Sequence, residues 1–332
     1  MEDIISLKYG DGGKYTDLLI NEVFYKHFGN ELLVNSMDAA VFAINKGRLA
    51  FTTDSFVVKP IFFNGGDIGK LAVCGTINDL ASVGAKPLYL SLAVIIEEGF
   101  DIKTLKKIAQ SIGDICKKTG IKIITGDTKV VEKGSADGLF INTSGIGIVQ
   151  EEYNPIPIIE GDCIIITGGI AEHGTTIAVK RYNINIEGKF QSDCMPLNNL
   201  IQKLQKNLKY IKLMKDPTRG GLATALNEIA EKAGMSIILD EELIPISKEI
   251  KSINEMLGLD PLYLACEGRM IIIAEKHKSK DLLNEIKCIN GCENSAMIGY
   301  FKSGKNIVLM ETIIGGKRII GPLQENLLPR IC

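Results

Sequence analysis

The feature that most constrains this fold is an alternation of short β-branched segments with longer segments of helical spacing, which occurs in two successive series. In the first series, Arg48 to Val58 alternates as a strand does. Asp67 to Gly84 and Asp101 to Gly120 then show helical spacing, each starting at a capping aspartate and stopping at a glycine. The polar, proline-bearing stretch from Gln150 to Pro157 interrupts the pattern. The sequence therefore predicts two α+β domains that meet there.

A length of 332 residues is enough for two domains with cores of their own. Further strands are predicted at 88–96, 121–125, 139–149, 163–167, 236–239 and 270–274, and further helices at 198–208 and 222–233. From Gly315 onward the periodicity is lost, and we expect a mobile tail that ends at Cys332.

Composition excludes several classes of protein. Lys and Arg number 38 against 40 Asp and Glu, so a net charge of −2 offers no basic surface for nucleic acid. The N-terminus carries acids where a secretory signal carries cations, and no apolar run approaches the roughly 18 residues of a membrane span. The eight cysteines contain no CxxC pair, which excludes a thioredoxin-like couple and a zinc ribbon. We expect a cytoplasmic protein with free thiols.

Acidic residues recur in short contexts along the first domain, at Asp38, Asp54, Asp67, Asp79 and Asp127. Carboxylates that converge from separate strand ends suit Mg²⁺ ions that bridge nucleotide phosphates. Helix capping and solvated turns explain any one of these residues equally simply, and both interpretations stay open.

Two common nucleotide-binding loops are excluded by spacing. Gly65 to Lys70 has three residues between its flanking glycines instead of the four of a P-loop, and no Ser or Thr follows. Gly145-Ile146-Gly147 is followed by Gln150 where a dinucleotide fingerprint has glycine. In Asp216 to Gly221 (DPTRGG), by contrast, Arg219, Gly220 and Gly221 precede a predicted helix, which favours an anion site. An aspartate cap followed by proline is the alternative.

The terminal Cys332 is the sharpest single feature. A thiol on a mobile tail can visit more than one site, as a swinging arm does, whereas a core cysteine cannot. A cysteine that ends the chain by chance is the competing interpretation. We expect no prenylation at this cysteine, because the given sequence shows no CaaX pattern. His173 lies in a predicted glycine-framed loop, where it either contacts substrate or orients the loop.

Seven motifs together resemble a known family. They are TTDSF (52–56), FFNGGDIGKLAVCGTINDLA (62–81), GDTKVV (126–131), DGLFINTSGIG (137–147), DPTRGG (216–221), CEGR (266–269) and PRIC (329–332). In this order they resemble the HypE family of hydrogenase maturation proteins, within the aminoimidazole ribonucleotide synthetase (PurM) superfamily. The match covers almost the whole chain. Thiamine-phosphate kinases and selenophosphate synthetases share the acidic motifs but not the terminal PRIC.

The resemblance implies a two-domain PurM-like α+β fold, in which each domain is a mixed β-sheet flanked by helices. We expect a glycine-loop segment at 1–35, an ATP-binding and dimerisation domain at 36–152, a second domain at 153–310 and a flexible tail at 311–332. It also implies a homodimer formed by joined sheets, and ATP with Mg²⁺ in the cleft between the domains.

The reaction implied by the resemblance is an ATP-dependent dehydration. A partner carbamoyltransferase, HypF, loads a carbamoyl group onto Cys332, and dehydration converts it to a thiocyanate. The cyanide then reaches the iron of a [NiFe]-hydrogenase through a HypC–HypD scaffold complex. An alternative is a non-catalytic, ATP-binding scaffold or sulfur carrier, in which Cys332 docks a partner.

Roles follow position by position from the same resemblance. Cys332 is the carrier, Glu267 and Lys129 are catalytic candidates, and Asp38, Asp54, Asp79 and Asp127 are candidates for Mg²⁺. Further ATP contacts are expected at Asp67, Asn78, Thr143, Arg219, Gly220 and Gly221. The chain departs from the family at Tyr9, where a histidine is usual, and at Cys266, where an asparagine is common.

Overall fold

The structure, a computed structural model, describes residues 13–19, 40–44, 47–186, 188, 190–325, 328 and 330–332. Two mixed β-sheets, each flanked by helices, organise these residues and confirm the predicted α+β fold. Asp38 and Tyr9 lie outside the described residues. Within the described ranges, no helix combines the length and hydrophobicity that crossing a bilayer requires.

The described elements up to Val149 comprise a short N-terminal helix, the first sheet with its two helices, and a separate two-stranded sheet. The elements are α1 (Lys14–Leu19), β1 (Ala40–Ile44), β2 (Gly47–Phe56), β3 (Phe62–Phe63), β4 (Gly66–Asp67), α2 (Ile68–Ser82), β5 (Ala85–Glu97), α3 (Ile102–Thr119), β6 (Lys122–Val131) and β7 (Leu139–Val149). The strand order is β1-β2-β7-β5-β6, and only the β5–β6 pairing is parallel among the described strands of this sheet.

Helices α2 and α3 form where the sequence predicts them. Asp67 caps α2, since its Oδ1 accepts the N–H groups of Gly69 and Lys70 at 2.8 and 3.0 Å. Asp101 caps α3, which ends at Gly120 in the left-handed conformation. Only one stripe of α3 is buried, whereas almost every residue of α2 is buried because the helix is covered by both domains.

The second sheet and its helices follow. The elements are β8 (Cys163–Ile166), α4 (Glu172–Arg181), α5 (Asn198–Lys203), β9 (Ile211–Lys215), α6 (Gly221–Ala233), β10 (Ser236–Asp240), α7 (Lys248–Leu257), β11 (Ile271–Ala274), α8 (Ser279–Lys287), β12 (Ala296–Lys302), β13 (Val308–Glu311) and β14 (Lys317–Ile320). The strand order is β14-β13-β10-β12-β8-β11-β9, with β10 and β13 parallel. Its central strands β8 and β11 are entirely buried.

The structure differs from the sequence-based predictions in four places. His173 lies in the first turn of α4 and not in a loop. The predicted helix 198–208 breaks after Lys203 and continues as a 3₁₀ turn over Gln205–Tyr210. Strand β6 extends six residues beyond the predicted end at residue 125, to Val131. Residues 317–320, expected in the aperiodic tail, form the edge strand β14 against β13.

Candidate active site

The last three residues of the chain lie in the cleft between the domains, beside the segment that follows β2. The Val57 N–H donates to the Cys332 carbonyl at 3.1 Å, and the Lys59 N–H donates to the Arg330 carbonyl at 3.2 Å. Between them, Ile331 is only 7% exposed and packs in a hydrophobic cluster to which both domains contribute. These contacts hold the C-terminus as a short strand would be held.

The side chain of Arg330 fastens the same segment. Its Nε donates to the Val57 carbonyl at 2.9 Å, and its guanidinium pairs with the Asp137 carboxylate and lies over the Phe140 ring. Asp137 also receives the Lys59 ammonium at 2.8 Å. These paired cations lower the pKa of Asp137 below its usual value. The backbone of Arg330 is left-handed, with φ of 53°, a costly conformation that these contacts offset.

The partly buried Cys332 thiol is surrounded by charged groups. Burial raises the pKa of this thiol to about 12, with a further contribution from the nearby carboxyls of Glu267, Asp54 and Asp216 and an opposing one from Arg219. The thiol is therefore neutral at physiological pH when the tail is docked.

Glu267 is the most unusual acid of the site. It is 3% exposed, and its Oε1 has no hydrogen-bond partner among the residues that the structure describes. Burial raises the pKa of Glu267 well above its usual value, and repulsion from Asp216, Asp193 and Asp54 adds to the effect. A buried carboxyl with an open oxygen and a raised pKa is typical of a functional group.

The backbone around Glu267 is held by Asp193, a residue that the sequence analysis does not single out. The two Asp193 carboxylate oxygens each accept an N–H at 3.2 Å, from Glu267 and from Gly268. Arg269 lies 3.5 Å from the same carboxylate and pairs with Glu172 at 2.6 Å. Asp193 lies outside every quoted motif and outside any periodic element, so no local signal could have identified it.

The DPTRGG segment brings Arg219 beside the terminal thiol. Gly220 and Gly221 have φ of 76° and 59°, and a Cβ at Gly221 would lie 2.6 Å from two main-chain oxygens, so this turn requires glycine. The interaction with Cys332 is the largest cause that raises the pKa of Arg219, and Asp54 and Asp79 add to it. The guanidinium is thus the cation of this cluster.

Asp54 lies on the face of the first sheet that packs against α2, and Asp79 lies on α2 itself. The Thr52 hydroxyl donates to Asp79 at 2.7 Å. Burial raises the pKa of Asp54, against the opposing effects of Arg219 and the Ser55 N–H. No group of three or more His, Cys, Asp or Glu side chains within the described ranges could hold a metal ion. Two carboxylates nonetheless suit Mg²⁺ bound to a nucleotide, because that ion keeps waters and takes phosphate oxygens as ligands.

Asp127 faces the opposite side of the sheet. Its register partner on β5 is Ala93, which pairs with Asn142 on β7, and Asn142 pairs with Ser55 on β2. Side chains at paired positions share a face, and neighbours along a strand alternate. Since Ser55 follows Asp54 directly, Asp127 lies on the face opposite to Asp54.

Lys129 shares this outer face with Asp127, two residues earlier on β6. The two side chains form an ion pair of 2.9 Å, and both are more than half exposed. The structure does not bring Asp127 and Lys129 to Cys332 of the same chain. Within one chain the two-residue period of the strand separates them from Asp54 and Asp79, and their roles at the site stay predictions.

Three of the residues expected to contact ATP make hydrogen bonds within the protein. Asp67 caps α2, and the buried Thr143 hydroxyl contacts the Thr76 hydroxyl of that helix. Asn78 donates to the carbonyls of Met195 and Glu267, both at 3.1 Å, and also accepts an N–H from the second domain. ATP contacts at these residues stay predictions.

Cys266, one of the two positions at which the chain departs from the family pattern, is buried. Its sulfur accepts the Ala171 N–H at 3.3 Å, at the start of α4. Burial raises the pKa of this thiol well above its usual value, so it is a neutral packing residue.

Comparison with known families gives two matches that together cover most of the chain. Residues 36–149 match AIR synthase related protein, N-terminal domain, and residues 160–310 match AIR synthase related protein, C-terminal domain.

Individual relatives agree along the full length. The carbamoyl dehydratase HypE of Bradyrhizobium diazoefficiens is 43% identical over 332 residues, covering 99% of this chain and 96% of its own. A crystal structure of a HypE–HypF complex matches with a TM-score of 0.87 and 44% identity, covering 92% of this chain and 99% of that one. A crystal structure of HypE in complex with ATP matches with a TM-score of 0.83 and 41% identity, covering 98% and 99%.

Proposed function

The chain belongs to the HypE family of AIR synthase related proteins, and from this premise we propose that it is a carbamoyl dehydratase. It converts a carbamoyl group carried on Cys332 into a thiocyanate with consumption of ATP. The observation that carries the proposal is the docked Cys332 itself, which shares the cleft with Arg219 and with the buried, open carboxyl of Glu267.

The overall change determines what the site must do. The S–CO–NH₂ group loses its oxygen and both N–H protons, and an S–C≡N group remains. Because an amide oxygen is a poor leaving group, ATP when bound supplies the phosphoryl group with which that oxygen departs as phosphate. The protein must therefore remove protons from nitrogen, stabilise charge on the departing oxygen and exclude water.

Glu267 is suited to accept the N–H proton. Its Oε1 has no partner among the described residues and is therefore available to a substrate N–H. The raised pKa brings this carboxyl closer to the operating pH, where a general base is most effective. Asp193 fixes the backbone from which Glu267 projects, through the two N–H groups it accepts.

Arg219 is suited to stabilise the oxygen as it leaves. Its charge is close enough to Cys332, Asp54 and Asp79 for each of them to raise its pKa. Asp54 and Asp79 would hold Mg²⁺ on the phosphates, since hard carboxylate oxygens are the ligands this ion prefers. The cation and the two acids thus suit the transfer of a phosphoryl group to an oxygen carried near Cys332.

Loading of the carbamoyl group takes place with the tail undocked. The docked thiol is neutral, whereas a thiolate is the nucleophile that attacks a carbamoyl donor. In water the thiol regains an ordinary pKa. This supports HypF as the partner that loads the undocked tail, since a relative has been crystallised as a HypE–HypF complex.

A homodimer is supported by the outer face of the first sheet. Phe51, Ile146 and Tyr89 are register neighbours across three strands, and each is more than a third exposed. Such an apolar row is typical of a covered surface. Asp127 and Lys129 lie on this same face, so we place them in the site of the partner subunit, where Lys129 would neutralise charge on the phosphate.

The cyanide product serves the iron centre of a [NiFe]-hydrogenase through the HypC–HypD scaffold. A thiocyanate carried on a mobile cysteine is a bound form of cyanide that can be transferred. All eight cysteines are free thiols, which suits a cytoplasmic location.

One experiment tests this proposal against a non-catalytic scaffold or sulfur carrier. The protein is incubated with carbamoyl phosphate, the carbamoyltransferase and ATP, and the C-terminal peptide is weighed by mass spectrometry. A dehydratase gives a carbamoyl adduct followed by loss of one water. A non-catalytic scaffold or a sulfur carrier shows no loss of water from the C-terminal peptide.

A further inference from the structure

His173 touches the docked tail directly, although no motif assigns it a role. Its ring is fully buried, and its Nε2 lies 2.8 Å from the Ile331 carbonyl oxygen. Its Nδ1 lies 2.8 Å from the Ser192 hydroxyl. Phe63 packs edge-on against the ring, 5.2 Å between centroids. The histidine thus connects the second domain to the residue before the carrier cysteine.

The hydrogen-bond partners determine where the ring proton lies. A carbonyl oxygen only accepts, so Nε2 carries the hydrogen that bonds Ile331. The Ser192 oxygen already accepts the Cys194 N–H at 3.0 Å, which leaves its own hydrogen free to donate to Nδ1. Burial lowers the pKa of His173, in agreement with a neutral ring. The acceptor-only Ile331 carbonyl therefore selects the Nε2–H tautomer, and the Ser192 hydroxyl complements it by donating to Nδ1.

The contact matters because of its place in the tail. Val57 and Lys59 bind the carbonyls of Cys332 and Arg330, two residues apart, as the edge of a strand does. The intervening Ile331 carbonyl lies among buried groups and needs a partner elsewhere. His173 supplies it, and all three terminal residues are then held through their main chain.

We propose that His173 is a positioning residue for the carrier tail, in the tautomer whose Nε2–H holds the Ile331 carbonyl and whose Nδ1 accepts the Ser192 hydroxyl. The bond keeps the Cys332 thiol in the cleft. The proposal rests on the proposed function only in treating Cys332 as the carrier. The contact itself can be measured without the reaction.

The test is the rate at which iodoacetamide alkylates Cys332 in the full-length protein, without ATP or partner. Mass spectrometry compares Cys332 with the exposed Cys288 in the same molecule. His173→Leu removes the donor, and the carbonyl it leaves unsatisfied should increase the Cys332 rate about 5- to 10-fold relative to Cys288. His277→Leu is the matched control, because His277 is mostly exposed and pairs with Glu275; it should leave the ratio unchanged.

Two further measurements distinguish loss of the hydrogen bond from misfolding of the His173→Leu variant. His173→Gln retains an N–H donor and should restore most of the protection, which a packing role alone would not predict. Nitrogen NMR of the wild-type ring should show the Nε2–H tautomer at neutral pH. An unchanged Cys332 ratio in a folded His173→Leu protein, or an Nδ1–H or doubly protonated ring, would overturn the proposal. Neither readout depends on dehydration, so its failure is separate from failure of the proposed function.

Discussion

The Cys332 carbonyl accepts the Val57 N–H at 3.1 Å, so the end of the chain is hydrogen-bonded to the residue that follows strand β2 of the first domain. This bond brings a thiol from the far end of the sequence to the acids that β2 and α2 carry. It also makes the docked tail part of the cleft between the domains. A carrier bound in this way delivers its cargo to the same place on every visit.

The carrier cysteine should be essential for product and dispensable for structure. Cys332→Ser is nearly isosteric, and the docking contacts are main-chain bonds and the Arg330 side chain, so the variant should fold and bind ATP. It should form no thiocyanate, because the oxygen does not provide the thiolate nucleophile. Peptide mass spectrometry and ATP titration check both parts. Cys288→Ser is the control, and hydrogenase maturation by Cys332→Ser would contradict the assignment.

Replacement of Glu267 by Gln should separate loading from dehydration. Cys332 should still accept the carbamoyl group, while single-turnover dehydration should fall about 10²- to 10⁴-fold, the usual loss for one general base. In the wild type the rate should increase with pH as Glu267 loses its proton through its raised pKa. That dependence should disappear in Glu267→Gln. An unchanged rate at saturating ATP would refute the role of base.

The same raised pKa has a consequence for stability. Between the unfolded and folded pKa values of Glu267 the folded state retains a proton that the unfolded state has lost. The free energy of unfolding should therefore decrease as pH rises through this window. Glu267→Gln should show a flatter profile in urea titrations. A profile that increases with pH more steeply in the wild type than in the variant would contradict the direction of the shift.

The ion pairs of Asp137 should help to keep the tail docked. Asp137 pairs with both Lys59 and Arg330, which together lower its pKa. These ion pairs should therefore persist at neutral pH and weaken as pH falls through that lowered pKa. Asp137→Asn should increase alkylation of Cys332 relative to Cys288, severalfold at most, because the pair is half exposed. Asp281→Asn, which loses a similar exposed pair with Lys278, is the control. An equal ratio of Cys332 to Cys288 alkylation in the two variants would exclude a role of Asp137 in holding the tail.

The local elements could be predicted, while the site contacts could not. Helix α3 follows from Asp101, Gly120 and one apolar stripe, all within 20 residues of sequence. The pairing of His173 with Ile331 joins residues 158 positions apart and has no local pattern. The face of the sheet on which Asp127 lies could not be predicted for a related reason, since it depends on the length and register of β6, which continues beyond its predicted end.

The outer face of the first sheet should hold two subunits together. Ile146→Asp would bury a charge in an apolar interface and should give monomers in sedimentation experiments. Ile314→Asp is the control, because Ile314 is 94% exposed on a hairpin of the second domain. Dimers that persist in Ile146→Asp would exclude this face as the interface.

The assignment of Lys129 to the partner's site can be tested with mixed subunits. Lys129→Ala and Cys332→Ser should each be inactive alone, and mixing them should restore dehydration. In the mixed dimer, the Lys129 of one subunit serves the Cys332 of the other. If mixed dimers form and stay inactive, Lys129 acts within its own chain or not at all.

The most direct test of the central claim follows the carbamoyl oxygen. The protein is loaded on Cys332 with a carbamoyl group carrying ¹⁸O, freed of donor and partner, and given ATP for a single turnover. If the docked thiol carries the group through an ATP-dependent dehydration, the label should appear in inorganic phosphate as the C-terminal peptide becomes a thiocyanate. Unlabelled phosphate, with the label in water or still on the peptide, would contradict the account.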